Sequence, residues 1–216
     1  VIYYLSNLLV QYTPLLYDEA SRKNINKQVA KIGNEVAILS VKTKNIDPLL
    51  NCITKGLEVA DGSKVEMFVN PAENGFVMRA SSEYLMHTNY LATNVRLTAG
   101  NAGDSLAMSM AAEDLYAGAL HFSDVDVSGG AKDNDIRLDA NFADSLQELQ
   151  GELSANAKIT RKNNRRNLHV TFNPSSITSG DSSWRITTDG IDMDSSRVAI
   201  RRFAVRSDSQ ELFVNG

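Results

Sequence analysis

From residue 63 to the end of the chain, apolar side chains recur at every second position, and polar turn residues interrupt them at short intervals. A period of two bounded by Gly, Asn, Asp and Ser predicts half-buried strands. "KVEMFVN" places Val65, Met67 and Val69 on one face, and "GFVMRAS" and "VRLTAG" continue the series. "SLAMSM" supplies Leu106, Met108 and Met110, and "ALHFSDVDV" supplies Leu120 and Phe122, then Val125 and Val127. The phase slips by one between Phe122 and Val125, which predicts a β-bulge. "DIRLDANF" adds Ile136, Leu138, Ala140 and Phe142, "ELSANAKI" adds Leu153, Ala155, Ala157 and Ile159, and "NLHVTF" adds Leu168, Val170 and Phe172. The final short runs bring Ile186, Val198, Ile200, Phe203, Val205, Leu212 and Val214. Between them stand "SGGAKDND", "RKNNRRN", "NPSSITSGDSS", "TTDG", "DSS" and "SDSQ", which read as turns. Short strands joined by short polar turns predict an antiparallel meander.

The N-terminal quarter has a different period. Ile2, Leu5, Leu9 and Tyr12 follow helical spacing, and Pro14 ends or bends that segment. Ala20, Ile25, Val29 and Ile32 predict a second helix, with Asp18 and Glu19 at its start and Gly33 just past its end. "EVAILSVKTK" reads as a strand. Asp47 as N-cap, Pro48 at the first helical position and Gly56 as the stop predict a short helix. The expected organisation is a mixed segment over 1–57 and a meander over 58–216 that continues beyond the fragment.

The alternation is one-sided, and a sheet with one apolar face must cover it. After residue 63 no amphipathic helix is long enough, since "DSLQELQG" over 144–151 makes two turns at most. Some twenty large apolar side chains, each worth roughly 1.5–3 kcal/mol when buried, are too many to leave in water. Either two halves of the sheet pack into a closed sandwich, or the stripe lines a groove filled by an apolar ligand. Periodicity alone favours the closed core.

Composition narrows the partners. With 22 Lys+Arg against 26 Asp+Glu the chain is mildly acidic, which gives no basic face for nucleic acid. A single cysteine, Cys52, excludes an intrachain disulfide. The opening "VIYYLSNLLVQYTPLLY" is apolar but interrupted, lacks a basic start and a small-residue cleavage site, and reads as neither signal peptide nor span. Both ends read as cuts within a longer polypeptide.

"GLEVADGSKVEMFVNPAENGFVMRAS" followed by "NVRLTAGNAGDSLAMSM" resembles the repeating strand units of the AsmA/TamB family, as does "LDANFADSLQELQGELSANAKI" followed by "NLHVTFNPSSITSGDSSWRI". Trp184-Ile186, Val198-Ile200-Phe203-Val205 and Leu212-Val214-Gly216 resemble the interior of TamB-like chains, and "KNIDPLLNCITKGLEVADGS" their recurrent helix-then-strand step. The likeness covers most of residues 35–216 and rests on residue type and spacing. It implies a mainly β fold, a curled, taco-shaped antiparallel sheet with an open apolar groove. It implies a periplasmic location, an inner-membrane tether in the full-length protein, and phospholipid acyl chains as the guests conducted toward the outer membrane. It also implies, for some members, an outer-membrane barrel partner. The sequence departs from the whole-family pattern in that neither the membrane anchor nor the C-terminal conserved domain is recognisable; it reads as an internal segment, so partner-docking residues do not carry over. The resemblance favours the groove, and Met67, Met108, Met110 and Met193 suit variable apolar guests. The competing reading is a closed β-sandwich adhesin or carbohydrate-binding module, but a single Trp is a poor start for a sugar site.

Candidate chemistry is sparse. His87, His121 and His169 are far apart, without a metal-ligand spacing around them. "DGIDMD" over 189–194 lacks the bidentate Glu of a calcium loop. No nucleophile, phosphate-cradle or metalloprotease motif appears, so neither catalysis nor a cofactor is expected. "KITRKNNRRN" concentrates Lys158, Arg161, Lys162, Arg165 and Arg166. Arg161, Lys162, Arg165 and Arg166 are candidates for contact with anionic lipid headgroups. Equally, such charges at a loop tip block pairing between sheet edges.

Overall fold

The computed structural model describes residues 2–31, 35–46, 55–102, 104–144, 146, 148–162 and 165–216, without the side chains of 2–5, 102 and 162. Helix α1 (Ile2–Tyr12) ends where Pro14 opens a 3-10 turn over Pro14–Leu16. Helix α2 (Glu19–Val29) starts at Asp18, whose carboxylate accepts the Ser21 backbone N–H at 2.7 Å. That bond satisfies one of the amide groups a helix start leaves unpaired. The helix expected from Asp47 falls on 47–54, outside the described residues, as do Gly33 and Cys52.

All described strands join one antiparallel sheet. They are β1 (Ala37–Lys42), β2 (Leu57–Val59), β3 (Lys64–Asn70), β4 (Gly75–His87), β5 (Tyr90–Ala102), β6 (Ser105–Ala117), β7 (Leu120–Lys132), β8 (Asp135–Ala143) and β9 (Leu149–Lys162). The series continues with β10 (Arg165–Phe172), β11 (Ser175–Ser179), β12 (Ser182–Thr187), β13 (Gly190–Met193), β14 (Val198–Arg201), β15 (Phe203–Arg206) and β16 (Glu211–Val214). The main path runs β1-β3-β4-β5-β6-β7-β8-β9-β11-β12-β15-β16, and its two ends do not meet, so the sheet is open. The fold is the mainly β, antiparallel class that the alternation predicts.

The strands off this path are halves of longer ones. Ser175 faces Ile186, and five residues earlier Val170 faces Ile191, so β10–β11 runs against β12–β13 with one unchanged register. The same holds for Gly190 against Arg201 and Thr187 against Ala204. β2 and β3 likewise lie along one strand, β4. The whole sheet is therefore an uninterrupted up-and-down meander in which each long strand pairs with its sequence neighbours.

A crease crosses this sheet. On the apolar face the side-chain sequence slips by one residue between Ser82 and Leu85, Ala92 and Val95, Ala112 and Leu115, and Phe122 and Val125. The slip expected at Phe122–Val125 is there, with Asp124 at φ 51° and a register shift between Ser123 and Asp126. Asn94, at the matching place in β5, has φ 47°. Asn and Asp tolerate this left-handed conformation better than other side chains. The crease continues through the β10–β11 junction, Gly190 at φ 135° and Arg202 at φ 46°. Because neighbouring strands slip together, the same face stays apolar on both sides. Residues 78–102 and 108–132 also correspond in strand and slip position at a spacing of thirty, with five of the 25 residues identical. Met78 and Met108, Glu83 and Glu113, Leu85 and Leu115, Val95 and Val125, and Gly100 and Gly130 are the same residue. Two successive hairpins thus repeat one bent unit.

Four expectations change. "NPSSITSGDSS" is largely strand, with β11 over Ser175–Ser179, β12 from Ser182 and Gly180 at φ 55° in the turn between them. Most of "SGGAKDND" is strand: β7 runs to Lys132, and only Asp133-Asn134, both at positive φ, make the turn. Gly129 and Gly130 belong there because a Cβ would stand 3.0 Å from the Arg137 carbonyl and 3.2 Å from the Leu106 carbonyl, respectively. Residues 149–151 of the two-turn helix allowed over 144–151 are strand, held by β8 on one side and β11 on the other. The basic run "RKNNRRN" is strand up to Lys162 and again from Arg165, with Arg161 opposite Arg166.

Phe142 lies over Gly151, where an added Cβ would come within 2.1 Å of the ring, and the same ring meets Phe122 edge-on at 4.9 Å. Gly151→Ala should therefore lower unfolding stability by roughly 1–3 kcal/mol in chemical denaturation. On a Phe142→Ala background the same substitution should have little further effect. An equal loss in both backgrounds would show that the ring is not the obstacle.

Candidate functional site

The registers place the predicted lining residues together. Val65 faces Ala80 and Met67 faces Met78. Met78 faces Ala99, Ala99 faces Met108, and Met110 faces Val127. Val127 faces Ala140, which faces Leu153, and Ile136 faces Ala157, which faces Val170. Val170 leads to Ile191 and Ile200, and Ile186 to Val205 and Leu212. Leu106, Leu138, Phe142, Ile159, Leu168, Phe172, Val198, Phe203 and Val214 fall on the same face. Beyond the crease Phe122 continues it, packed with Leu85, Ala92 and Leu115 against Val95, Ala112 and Val125, and Leu120 stands two residues further on. These side chains share one face of the sheet. The reading omitted Phe76, Met78, Val95, Leu97 and Ile177, which share the face. The alternation in "GFVMRAS" and the thirty-residue repeat carry that signal.

This face is only partly covered. Met67, Val125 and Ile159 are buried, and most of the remainder are half-buried. Met108 is 42% exposed, Leu138 46%, Val198 59% and Leu212 58%. A closed sandwich would bury these side chains, so the open sheet leaves its apolar face accessible at these positions.

One margin has a wall. Leu8 and Tyr12 of α1 are buried against Met67, Val69 and Phe76. The helix and the turn after it are fastened at successive hairpin ends. Asn74 Nδ2 donates to Gln11 Oε1 at 3.1 Å, the Asn134 amide donates to the Tyr12 carbonyl at 2.9 Å, and the Leu15 amide donates to Asn134 Oδ1 at 2.8 Å. Arg166 Nη1 then donates to the Leu16 carbonyl at 2.6 Å. An N-terminal helix therefore covers part of the face that no later helix covers among the described residues.

Beside Leu16 the face opens into a cleft of about 530 Å³, with Ile159, Leu168 and Met193 among its walls and Arg165 and Arg166 at its rim. Of the basic candidates, Arg161, Arg165 and Arg166 are exposed, and the side chain of Lys162 lies outside those described.

The opposite face is mostly polar, although Ile38, Phe68 and Val77 form an exposed apolar row across β1, β3 and β4 on it. His121 Nε2 and Asp114 Oδ1 are 2.7 Å apart, Thr93 and Ser123 donate to the same carboxylate, and Tyr116 stacks on the imidazole at 4.3 Å. His169 Nδ1 lies 2.8 Å from Asp192, whose other oxygen meets Arg201. These cross-strand pairs were not legible in the sequence, because strand register decides them. Asp189 pairs with Arg202, and Asp194 accepts the Ser196 and Arg197 amides, so the carboxylates of "DGIDMD" are engaged within the sheet. Among the described residues no group of three or more His, Cys, Asp or Glu is arranged to hold a metal, and no helix is long and apolar enough to cross a membrane. No protein-family model matches the chain, and comparisons with curated proteins and with solved structures return no match.

The hydrogen bond with His121 holds the Asp114 carboxyl below its ordinary 3.8, and the hydrogen bonds with His169 and Arg201 do the same for Asp192. Carboxylates depressed on folding stabilise the native state above their unfolded pKa and lose that contribution as pH falls through the folded value. Stability measured by denaturation from about pH 5 down to about pH 2 should therefore fall on the acid side. Asp114→Asn with Asp192→Asn should flatten that fall. An unchanged acid limb in the double variant would refute the assignment.

Proposed function

We propose that this chain is a periplasmic segment of a TamB-like protein that shelters and conducts phospholipid acyl chains between the inner and outer membranes. The observation that carries the reading is the apolar face, continuous through the registers of a 12-strand path yet partly open to solvent. The crease and the helix wall support it. Residues on either side of the crease pack on that face, which fits a sheet curled toward it, and α1 closes one margin.

Guests would travel across the strands. At ~4.8 Å between neighbouring strands, a 12-strand path extends about 50 Å. An acyl tail reaches about half of the ~30 Å hydrocarbon thickness, so it would lie across some three strands at once. Each buried CH₂ contributes about 0.8 kcal/mol. A lining of Leu, Val, Ile, Met and Phe on every strand keeps that contribution nearly constant as the tail moves, so no deep well halts it. Polar turns at the strand ends leave the headgroup in water. On this reading the protein's work is physical rather than catalytic. The inner-membrane tether and any outer-membrane barrel partner belong to the rest of such a protein.

Photo-crosslinking in cells tests the reading. A photoreactive residue at Phe142 or Val170, both on the apolar face, should yield lipid adducts. The same probe at Arg137 or Asn156, on the polar face, should yield few. Adducts only to this protein's own facing strands would sink the proposal.

A further inference from the structure

We infer that the end of the apolar face where β9 pairs with the start of β10 docks the headgroup of an anionic lipid, with Arg161 and Arg166 holding the anion and the neighbouring cleft holding the start of the tail. This rests on the acyl-chain reading above and adds to it a headgroup class and a fixed position.

The β9–β10 register is the basis. Along it Ala157 faces Val170, Ile159 faces Leu168, and Arg161 faces Arg166. Those three pairs share a face, so an apolar lane ends in two arginines directly opposite each other. Like charges in that relation repel and weaken a sheet unless an anion lies between them. The two make no ion pair among the described residues. Elsewhere on this margin basic residues are matched, Lys132 with Asp104 and Lys158 with Asp135 at 3.2 Å.

Arg166 is also positioned. One of its N–H groups donates to the Leu16 carbonyl, which fixes the guanidinium at the rim of the cleft. The rest of its planar fork stays available for the bidentate geometry that phosphate oxygens accept. Asp194 lines the same cleft and accepts the Ser196 and Arg197 amides, and Asp18 accepts the Ser21 amide. Those hydrogen bonds, and after them the fields of Arg165 on Asp194 and Arg166 on Asp18, hold both carboxyls below their ordinary value, but neither forms a direct ion pair with Arg161 or Arg166 among the described residues. The chain as a whole carries a net charge of −4, so this basic corner is local rather than part of a general basic surface. Ile159 is buried while Leu168 and Met193 are half-buried. Apolar walls that meet a positioned Arg166 with Arg161 opposite it fit an amphiphile with an anionic head.

The test uses the whole chain incubated with phosphatidylcholine vesicles, with or without a minor fraction of phosphatidylglycerol, and counts transferred lipid by native mass spectrometry. Wild-type protein should take phosphatidylglycerol over phosphatidylcholine by about tenfold relative to supply. Arg161→Gln with Arg166→Gln should lose most of that preference while still taking up phosphatidylcholine, and the double Lys variant should keep part of it. Glycerol 3-phosphate added in excess should not compete, because it has no tail for the cleft. A preference that survives the double Gln variant, or full competition by glycerol 3-phosphate, would overturn the headgroup site alone. Failure of the wild-type protein to take up either lipid would overturn the conducting function and this inference with it.

Discussion

Strand register is the constraint on which the rest of this protein depends. Side chains alternate with a period of two, so a one-residue slip in one strand alone would turn its apolar row to the opposite face. The meander prevents this by slipping neighbouring strands together. Leu85 and Ala92 move with Leu115 and Phe122, and the pairs on either side of the crease keep their registers. The ladder is interrupted at the slip, where Glu83 does not pair with Asn94 nor Glu113 with Asp124, and resumes on both sides of it. The apolar face passes the bend intact.

Bending has a second consequence. An ordinary open sheet needs a layer packed on its apolar side. Here the cover is divided. Helix α1 seats Leu8 and Tyr12 on the margin formed by the strand ends, and the crease packs Val95, Ala112 and Val125 under their neighbours. The remaining face is half-buried by its own side chains and partly open to solvent. The polar face contributes differently, through cross-strand pairs such as Asp114–His121 and Arg201–Asp192–His169 that fix neighbouring strands without an apolar layer.

The arginine pair at the end of the lane belongs to the same logic. As a loop tip, the basic run would protect the sheet from edge pairing. As part of β9 and β10, it places Arg161 and Arg166 on the apolar side of the ladder. Identical residues acquire a different chemical meaning because the strands run further than turn chemistry suggests.

By itself the sequence determined the class of fold and the membership of the apolar face. Alternation is a local property, and each strand states which of its side chains share a face, down to the bulge between Phe122 and Val125. It did not determine where the strands end, because "SGGAKDND" and "RKNNRRN" contain turn-forming residues that pairing on the neighbouring strands draws into the sheet. Nor did it determine which polar residues meet. His121 and Asp114 are brought together by register across a hairpin, and Leu8 reaches Met67 only when the helix lies on the strand margin. Those contacts depend on how whole strands align and bend, which is a tertiary quantity that no short stretch of residues encodes.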